Sequence, residues 1–426
     1  MSKQILILGG GPAGVAVAYY LGQQNIPYKL IEAKDHLGGN ASTYWEDGLG
    51  YDSGAHRLHD IFPEITDEFK KILGNQIQEI STPSQIYSGN TFFDFPLSPF
   101  NIIKGLSIKQ ITKASIDFIR RPSKTEDFQD LALSKYGNYI ANRFLLPYTQ
   151  KLWQTPCHQL STQVAGKRLK NLDIYTFLNE IFQKKEIKTK HLDGKFYYPL
   201  KGIGQLFDIL SKNITVAYNS KVDEITLNKN YITKVQINGI QHHADIIINT
   251  LPLSILANML GLKQTIQQLS FIDLYLVKVF LNKTSITNNA SIYFPDNQFV
   301  FTRIVEPRNR STDLAPQGKT MLVAEVPIRT GEIYNEEELQ EKVLSQLLST
   351  GLINKKDVNK ISTRKLDYAY PILTKEYEKD LFKIKKELSS INNLFLTGRV
   401  ATFSYQHIHD HFREGKIIAE KIANER

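Results

Sequence analysis

The feature that most constrains this chain is a glycine-rich segment near its N-terminus. Ile5–Leu8 is apolar without interruption, which is typical of a strand buried on both faces of a parallel sheet. Gly9, Gly11 and Gly14 follow at once, and glycines at this spacing allow a tight turn, close backbone approach to a pyrophosphate and close packing of the next helix. The segment therefore predicts a strand–turn–helix unit that binds a phosphate-bearing ligand.

A second strand and an acidic residue complete this unit. Residues 15–21 predict the helix, and residues 29–31 predict a strand that ends at Glu32. There a carboxylate can accept hydrogen bonds from both ribose hydroxyls of an adenosine. The glycine pattern alone also occurs in unrelated surface loops, but strand, glycines, helix, strand and acid in this order predict a dinucleotide site.

The next glycines indicate which dinucleotide binds. Gly38 and Gly39 lie a few residues beyond Glu32, and residues 49–57 place further small residues beside the titratable His56. A second close backbone approach is expected where a flavin has to be threaded further across the fold than a nicotinamide. Here the sequence resembles the FAD-dependent superfamily of amine oxidases, protoporphyrinogen oxidases and UDP-galactopyranose mutases, in which two such segments hold FAD. The resemblance implies FAD as the cofactor.

The same resemblance implies an α/β fold with two domains. One is a Rossmann-like FAD-binding domain of the GR2 type, and the other is a discontinuous substrate domain made of a helical insertion and an antiparallel β-sheet. We expect residues 1–85, 195–268 and 365–426 to form the FAD-binding domain. We expect residues 86–194 to form the helical insertion and residues 269–364 the β-sheet.

Composition narrows the class of protein. Hydrophobic residues make up 42% and charged residues 22% of the 426 residues, which argues against a disordered or fibrous protein. The single Cys157 excludes an intramolecular disulfide framework and suits a reducing cytosol. Residues 5–24 carry no charge, but their glycines and proline follow the phosphate-loop pattern rather than that of a signal peptide or membrane helix. We expect a cytoplasmic protein without a transmembrane segment.

The net charge of +9 admits an acidic partner, whether a nucleotide-sugar, a nucleic acid or a membrane surface. Most of the charge is scattered lysine. Its densest cluster, at Lys383, Lys385 and Lys386, is typical of a solvated helix face. We therefore expect a small-molecule substrate and no nucleic acid, while the oligomeric state stays open.

The resemblance also implies which residues hold FAD. In relatives, the backbone at the position of Val222 meets the adenine, and a closing Gly-Arg returns to the pyrophosphate and flavin. The last helix would then point its positive dipole end at the flavin, where it stabilises negative charge. The implied cofactor residues are Gly9, Gly11, Pro12, Ala13, Gly14, Glu32, Ala33, Gly38, Gly39, Asn40, His56, Arg57, Val222, Gly398, Arg399 and Tyr405.

The resemblance to the mutase branch depends on two arginines. Residues 144–156 match a mutase segment, and Arg168 follows at the place where those enzymes bind the substrate diphosphate. Arg303 matches a second diphosphate-binding arginine, and two guanidinium groups can each chelate oxygens bidentately. The alternative is that Arg168 is a surface cation. The chain also departs from the mutases at residues 307–310, because a substrate-contacting tyrosine is missing there.

The sequence near the C-terminus differs from the relatives at a second place. Tyr370 precedes a proline as a tyrosine does in the mutases, but His407 and His409 stand where asparagine and aspartate are usual. His407, His409 and His411 alternate, so on a strand they would share a face and could hold a metal. We favour hydrogen-bonding or proton-transfer groups beside the flavin and predict no metal. Ordinary loop polarity is the plainer alternative.

Two enzymatic functions follow, and a flavin-binding protein without turnover is a third possibility. The favoured hypothesis is a mutase-like flavoenzyme that isomerises a nucleotide-linked sugar through reduced flavin. The alternative is an amine oxidase or protoporphyrinogen oxidase type of oxidoreductase that moves hydride from substrate to FAD, chemistry that leaves little trace in a sequence. The candidate catalytic residues are His56, Arg168, Arg303, Tyr370, Tyr405 and His407.

Overall fold

The structure is a computed structural model that describes residues 3–95, 97, 105–165, 195–262 and 269–425. Its strands are β1 (Ile5–Leu8), β2 (Lys29–Ile31), β3 (Thr43–Glu46), β4 (Leu49–Asp52), β5 (Ile77–Ser81), β6 (Ser84–Ser88), β7 (Thr91–Phe95), β8 (Lys195–Pro199), β9 (Val216–Ala217), β10 (Val222–Asn228), β11 (Tyr231–Ile237), β12 (Ile240–His242), β13 (Ile246–Asn249), β14 (Phe271–Leu281), β15 (Ser291–Tyr293), β16 (Arg303–Val305), β17 (Thr320–Arg329), β18 (Val358–Pro371) and β19 (Leu394–Leu396). Its α-helices are α1 (Pro12–Gln23), α2 (Pro63–Leu73), α3 (Ile108–Ile119), α4 (Phe128–Ile140), α5 (Leu146–Trp153), α6 (Gly204–Ser211), α7 (Leu253–Met259), α8 (Glu336–Ser349), α9 (Tyr377–Ser389) and α10 (Ile408–Asn424).

The first sheet is the Rossmann-like part of the fold. Its five strands lie in the order β19-β13-β1-β2-β9, and all neighbours pair in parallel. Every residue of β1 and β13 is buried, as the uninterrupted apolar runs predict. Helices α1, α2, α6 and α10 share one hydrophobic core, which includes Val17, Phe207 and Phe412. The predicted cofactor-binding architecture is confirmed.

The second sheet has seven strands in the order β18-β14-β17-β16-β15-β6-β7. Its pairs are antiparallel except for β15 with β6, which run in parallel. The central strand β14 is buried along its whole length. This sheet confirms the predicted substrate-side β-sheet. Strands β6 and β18 run across the boundaries assigned from the sequence at 85/86 and 364/365, and that numerical division stays a prediction.

The helical insertion contains α3, α4 and α5. The prediction of helices here is confirmed, but the chain between α4 and α5 differs from a plain α-helix. Gly137 interrupts α4 with a φ of 72°, and residues Ala141–Leu145 form a π-helix. A Cβ at Gly137 would lie 2.7 Å from the Asp117 carbonyl oxygen, so α3 and α4 pack most closely at this glycine.

One predicted strand is wrong in extent. The pattern of residues 298–304 predicts a strand, yet β16 begins only at Arg303. The preceding residues form a loop because the Lys151 ammonium donates to the backbone oxygens of Phe294, Asp296 and Phe301, at 2.8, 2.7 and 3.4 Å. Within the described ranges, no helix has both the length and the apolar character needed to cross a bilayer.

Candidate active site

The N-terminus of α1 forms a cradle with backbone groups only. Gly9 has a φ of 103°, and a Cβ on Gly14 would lie 2.0 Å from the Gly9 carbonyl oxygen, so both positions require glycine. No described side chain caps α1 at Gly11, and its first turn carries no acidic residue. A Cβ on Gly11 would meet no described atom within 4 Å. The positive end of the helix dipole is thus left open to an anion such as a diphosphate.

The second glycine segment packs directly on the first. The Gly38 N–H donates to the Gly10 carbonyl oxygen at 2.9 Å. Gly39 has a φ of 53°, and a Cβ there would lie 3.0 Å from the Gly11 Cα. Gly398 has a φ of 98°, and its Cβ would lie 2.9 Å from the Ala13 Cβ. Three segments that are distant in sequence therefore meet at the start of α1, beside Pro12.

Glu32 marks the adenosine side of this cradle. Its carboxylate is buried and accepts from the N–H groups of Gly10 at 2.7 Å and Lys34 at 2.8 Å. The next residue, Ala33, follows the end of β2. The Ser220 N–H donates to the Glu32 carbonyl oxygen at 2.9 Å, which brings the start of β10 at Val222 beside the carboxylate. The residues predicted for an adenosine thus lie together.

These observations fit FAD. The uncapped N-terminus of α1 suits a diphosphate, and the fixed carboxylate of Glu32 suits a ribose. Asn40 and Arg57 lie further along. The Asn40 side-chain amide donates to the Asp367 carbonyl oxygen at 2.8 Å, and Arg57 donates to the Ser84 hydroxyl at 3.2 Å. Their own contacts with a cofactor stay predictions.

His56 lies on the loop after β4, close to several arginines. Arg310 donates to the His56 carbonyl oxygen at 3.1 Å. Burial lowers the pKa of His56 to about 3, and the positive charges of Arg399 and Arg310 act in the same direction. The imidazole is therefore neutral at physiological pH, which makes a role as a proton donor from the imidazolium form unfavourable.

Arg303 forms a buried ion pair instead of standing alone. Its Nε and Nη2 donate to Glu325 Oε2 at 3.1 and 2.5 Å, from the neighbouring strand β17. Burial by itself would lower the pKa of Arg303, but the Glu325 carboxylate raises it well above its ordinary value. The guanidinium also lies 5.8 Å from the centroid of the Tyr293 ring. Arg168, its proposed counterpart, lies outside the described residues.

Two tyrosines from the end of the chain stack beside this ion pair. The rings of Tyr370 and Tyr405 are nearly parallel, with centroids 6.3 Å apart and planes inclined by 13°. The Arg399 guanidinium lies 5.4 Å from the first ring and 5.0 Å from the second, and its Nε donates to the Gln406 carbonyl oxygen at 2.9 Å. Burial raises the pKa of Tyr370 to about 12, so this phenol keeps its proton.

The histidine-rich segment begins the last helix, as predicted. His407 is the N-cap of α10, and its backbone N–H donates to the Asp410 carboxylate at 2.8 Å. The alternative of a strand with three histidines on one face does not apply here. His407 stacks on His409 at 5.4 Å and lies 5.3 Å from the Tyr405 ring, while His411 points into the core. Among the described residues, no group of three or more His, Cys, Asp or Glu side chains is placed to hold a metal.

Glu325, Arg310 and Asp52 also lie at this site, although no sequence motif predicts them. Glu325 and Arg310 line a small enclosed cavity, which also touches Asp52, Gly54 and Tyr198. The Nε and Nη2 atoms of Arg310 have no hydrogen-bond partner among the described residues. A signal for Glu325 was present, because it interrupts an otherwise apolar strand, and such a buried charge requires a partner.

Comparisons with known proteins identify the family. The profile of the flavin containing amine oxidoreductase family matches residues 12–423. A coproporphyrinogen III oxidase of Staphylococcus aureus is 25% identical over 301 residues, which are 61% of this chain and 63% of that enzyme. A coproporphyrinogen III oxidase of Bacillus subtilis is 23% identical over 377 residues, 76% of this chain and 77% of that enzyme.

Solved structures share the fold. A reduced UDP-galactopyranose mutase superposes with a TM-score of 0.90 at 19% identity, covering 100% of this chain and 95% of that one. Putrescine oxidase bound to putrescine superposes with a TM-score of 0.65 at 15% identity, covering 100% and 99%. With the glycine cradle and the family match, these likenesses make FAD the cofactor and the protein a flavoenzyme. The chain belongs to the flavin containing amine oxidoreductase family.

Proposed function

We propose that the protein is an oxidoreductase that removes hydride from a C–N or C–C unit of an anionic small molecule. The observation that carries this proposal is the sequence relationship with two coproporphyrinogen III oxidases, one of which aligns over three quarters of the chain. This reverses the preference of the sequence analysis, in which the mutase came first. By analogy with those relatives, a carboxylate-bearing tetrapyrrole precursor is the first substrate to test.

Bound FAD would supply the hydride acceptor. The protein would bind and orient the substrate, and Tyr370 and Tyr405 are suited to this because their parallel rings offer flat apolar walls. The charge of Arg399 lies against both rings and can attract a carboxylate. His56 is held neutral and Tyr370 protonated, so neither changes its charge near neutral pH. Orientation over a flavin, with little acid–base catalysis from these two groups, suits hydride transfer.

A second candidate is the mutase reaction on a nucleotide-linked sugar. The observation that favours it is the tyrosine-lined position of Arg303, where the Tyr148 and Tyr293 rings lie 5.8 Å apart. Phenol hydroxyls beside a guanidinium can bind a diphosphate. The charge of Arg303 is already paired with Glu325, however, so a diphosphate would have to compete with a buried carboxylate.

Anaerobic mixing of the oxidised holoenzyme with single substrates tests both candidates. An oxidase substrate must bleach the flavin absorbance without any added reductant, and we expect coproporphyrinogen III to do so. UDP-galactopyranose must leave the absorbance unchanged and must turn over only after dithionite reduction if the mutase candidate holds. Turnover of the nucleotide-sugar by reduced enzyme, without bleaching by porphyrinogens or amines, would overturn the first proposal.

A pair of arginine variants sharpens the test. Arg303→Lys keeps one positive charge but loses the pair of guanidinium N–H donors that contacts Glu325. This substitution should change the KM of the substrate found in the mixing experiment several-fold. Arg329→Lys is the matched control, because Arg329 lies on the same strand as Glu325 but donates to the Gln154 carbonyl oxygen and not to a carboxylate. Equal effects of both substitutions on KM would place Arg303 outside the substrate site.

A further inference from the structure

Helix α3 leaves an apolar ridge uncovered. Within the described structure none of its residues is buried, and Ile108, Ile116 and Ile119 are 84%, 44% and 81% exposed. At 3.6 residues per turn these three isoleucines fall within an arc of about 80°. The helix packs on the molecule through a different side, where Ile111 and Ala114 contact the core cluster around Phe93. Packing among the described residues therefore does not account for this ridge.

Basic side chains run beside this ridge. The same helical geometry places Lys109, Lys113 and Arg120 next to the isoleucines, within an arc of about 40°. Arg121 follows, and Asp117 is the only acidic residue of the helix. Among the described residues these four form no ion pair with a carboxylate; Lys113 lies 5.8 Å from the Tyr139 ring, and Arg121 donates to the Phe118 carbonyl oxygen at 2.9 Å. An exposed apolar ridge bordered by unpaired cations is the pattern of a helix that lies in a membrane interface.

We propose that α3 docks this enzyme on an anionic lipid surface, with its axis in the plane of the membrane. The ridge would enter the acyl boundary while Lys109, Lys113 and Arg120 meet lipid phosphates, in keeping with a chain of net charge +9. The helix is formed before it docks, because Ser107 and Gln110 cap its N-terminus reciprocally. Binding would then cost little ordering. The proposal is independent of which substrate the flavin site takes.

Charge complementarity and shape favour lipid over a protein partner. The ridge is one helix wide, and an anionic lipid surface satisfies both its apolar and its basic parts. A second copy of the chain would bring a further set of unpaired cations against the first. Like charges at such a contact are unfavourable.

Vesicle flotation of the full-length holoenzyme tests the proposal. The protein should float with vesicles of phosphatidylcholine and phosphatidylglycerol, should stay down with phosphatidylcholine alone, and should be released by salt. Ile119→Ser should weaken binding about tenfold, because most of one large side chain no longer enters the apolar phase. Ile333→Ser is the matched control, since Ile333 is also 81% exposed but lies before α8, and it should bind like wild type.

A series of charge variants distinguishes vesicle binding through α3 from binding through the net charge of the whole protein. Replacing Lys109, Lys113 and Arg120 by Gln should weaken binding about fivefold for each residue. The same triple substitution to Gln, at Lys379, Lys383 and Lys386 on α9, should change vesicle binding much less. Equal losses in both triple variants, or no flotation of wild type with anionic vesicles, would overturn the proposal. So would a dimer that Ile119→Ser converts to a monomer without lipid, because the ridge would then belong to a second copy.

Discussion

Two glycines on the same helix offer a sharp test of the cofactor site. A Cβ added at Gly14 would lie 2.0 Å from the Gly9 carbonyl oxygen, a backbone atom that cannot rotate away. A Cβ added at Gly22 would lie 3.7 Å from the Tyr28 hydroxyl, which is an ordinary contact. Gly14→Ala therefore has to push α1 away from the turn that starts the FAD cradle. Gly22→Ala changes the helix propensity and little else.

The expected free energies follow from this difference. Alanine is favoured over glycine in a helix interior by about 1 kcal/mol, and Gly22 lies in the last turn of α1, so Gly22→Ala should raise the free energy of unfolding by a part of that amount. Gly14→Ala gains the same propensity but has to move backbone atoms apart, and overpacking costs about 1–3 kcal/mol. Because the displaced turn carries the N–H groups that face the diphosphate, we expect FAD affinity to fall at least tenfold, or about 1.4 kcal/mol.

Two measurements on each variant check this prediction. The flavin-to-protein ratio after purification and a titration of apoprotein with FAD give the affinity, and urea unfolding of the apoprotein gives the stability. Gly22→Ala should retain FAD like wild type. If Gly14→Ala also retained FAD and gained stability as Gly22→Ala does, the close approach of Gly14 to the turn would be wrong.

Three further substitutions probe buried charges. Glu325→Gln leaves Arg303 without its carboxylate and should lower the free energy of unfolding by about 3–5 kcal/mol in urea; a loss below about 1 kcal/mol would mean that another group compensates the guanidinium. Burial lowers the pKa of His411 to about 3, below its pKa in the unfolded chain. The free energy of unfolding should therefore fall by about 1 kcal/mol per pH unit as the pH drops below about 6. His411→Leu should remove that share of the acid sensitivity, and an unchanged pH slope in urea unfolding would contradict the neutral histidine. Lys151→Met removes a donor from three carbonyl oxygens of the 294–301 loop, of which that of Asp296 keeps the Phe299 N–H, and should lower the free energy of unfolding by about 2 kcal/mol in thermal or urea unfolding; unchanged stability would show that the ammonium does not hold the loop.

The parts of the fold that the sequence predicted well depend on local patterns. β1, α1 and β2 follow from an apolar run, spaced glycines and helical periodicity, all within thirty or so residues. The hairpin of β6 and β7 follows in the same way from its Gly89-Asn90 turn. In each case the residues that decide the structure are near neighbours in the chain.

The parts that could not be predicted depend on long-range register. Arg303 and Glu325 meet because β16 and β17 pair with these two residues opposite each other, and no local pattern encodes that alignment. Arg310 reaches the loop of His56 from more than half the chain away.

The distribution of charge around His56 suits more than one reaction. His56 is surrounded by Arg399, Arg310 and Arg303, and only Arg303 forms an ion pair among the described residues. The remaining positive charge would stabilise any anion held there, whether a carboxylate, a diphosphate or the negative charge of a reduced cofactor. Such a field is equally useful for hydride transfer and for sugar isomerisation. The choice between the two proposed reactions therefore depends on the oxidation state in which turnover begins, which the anaerobic mixing experiment measures directly.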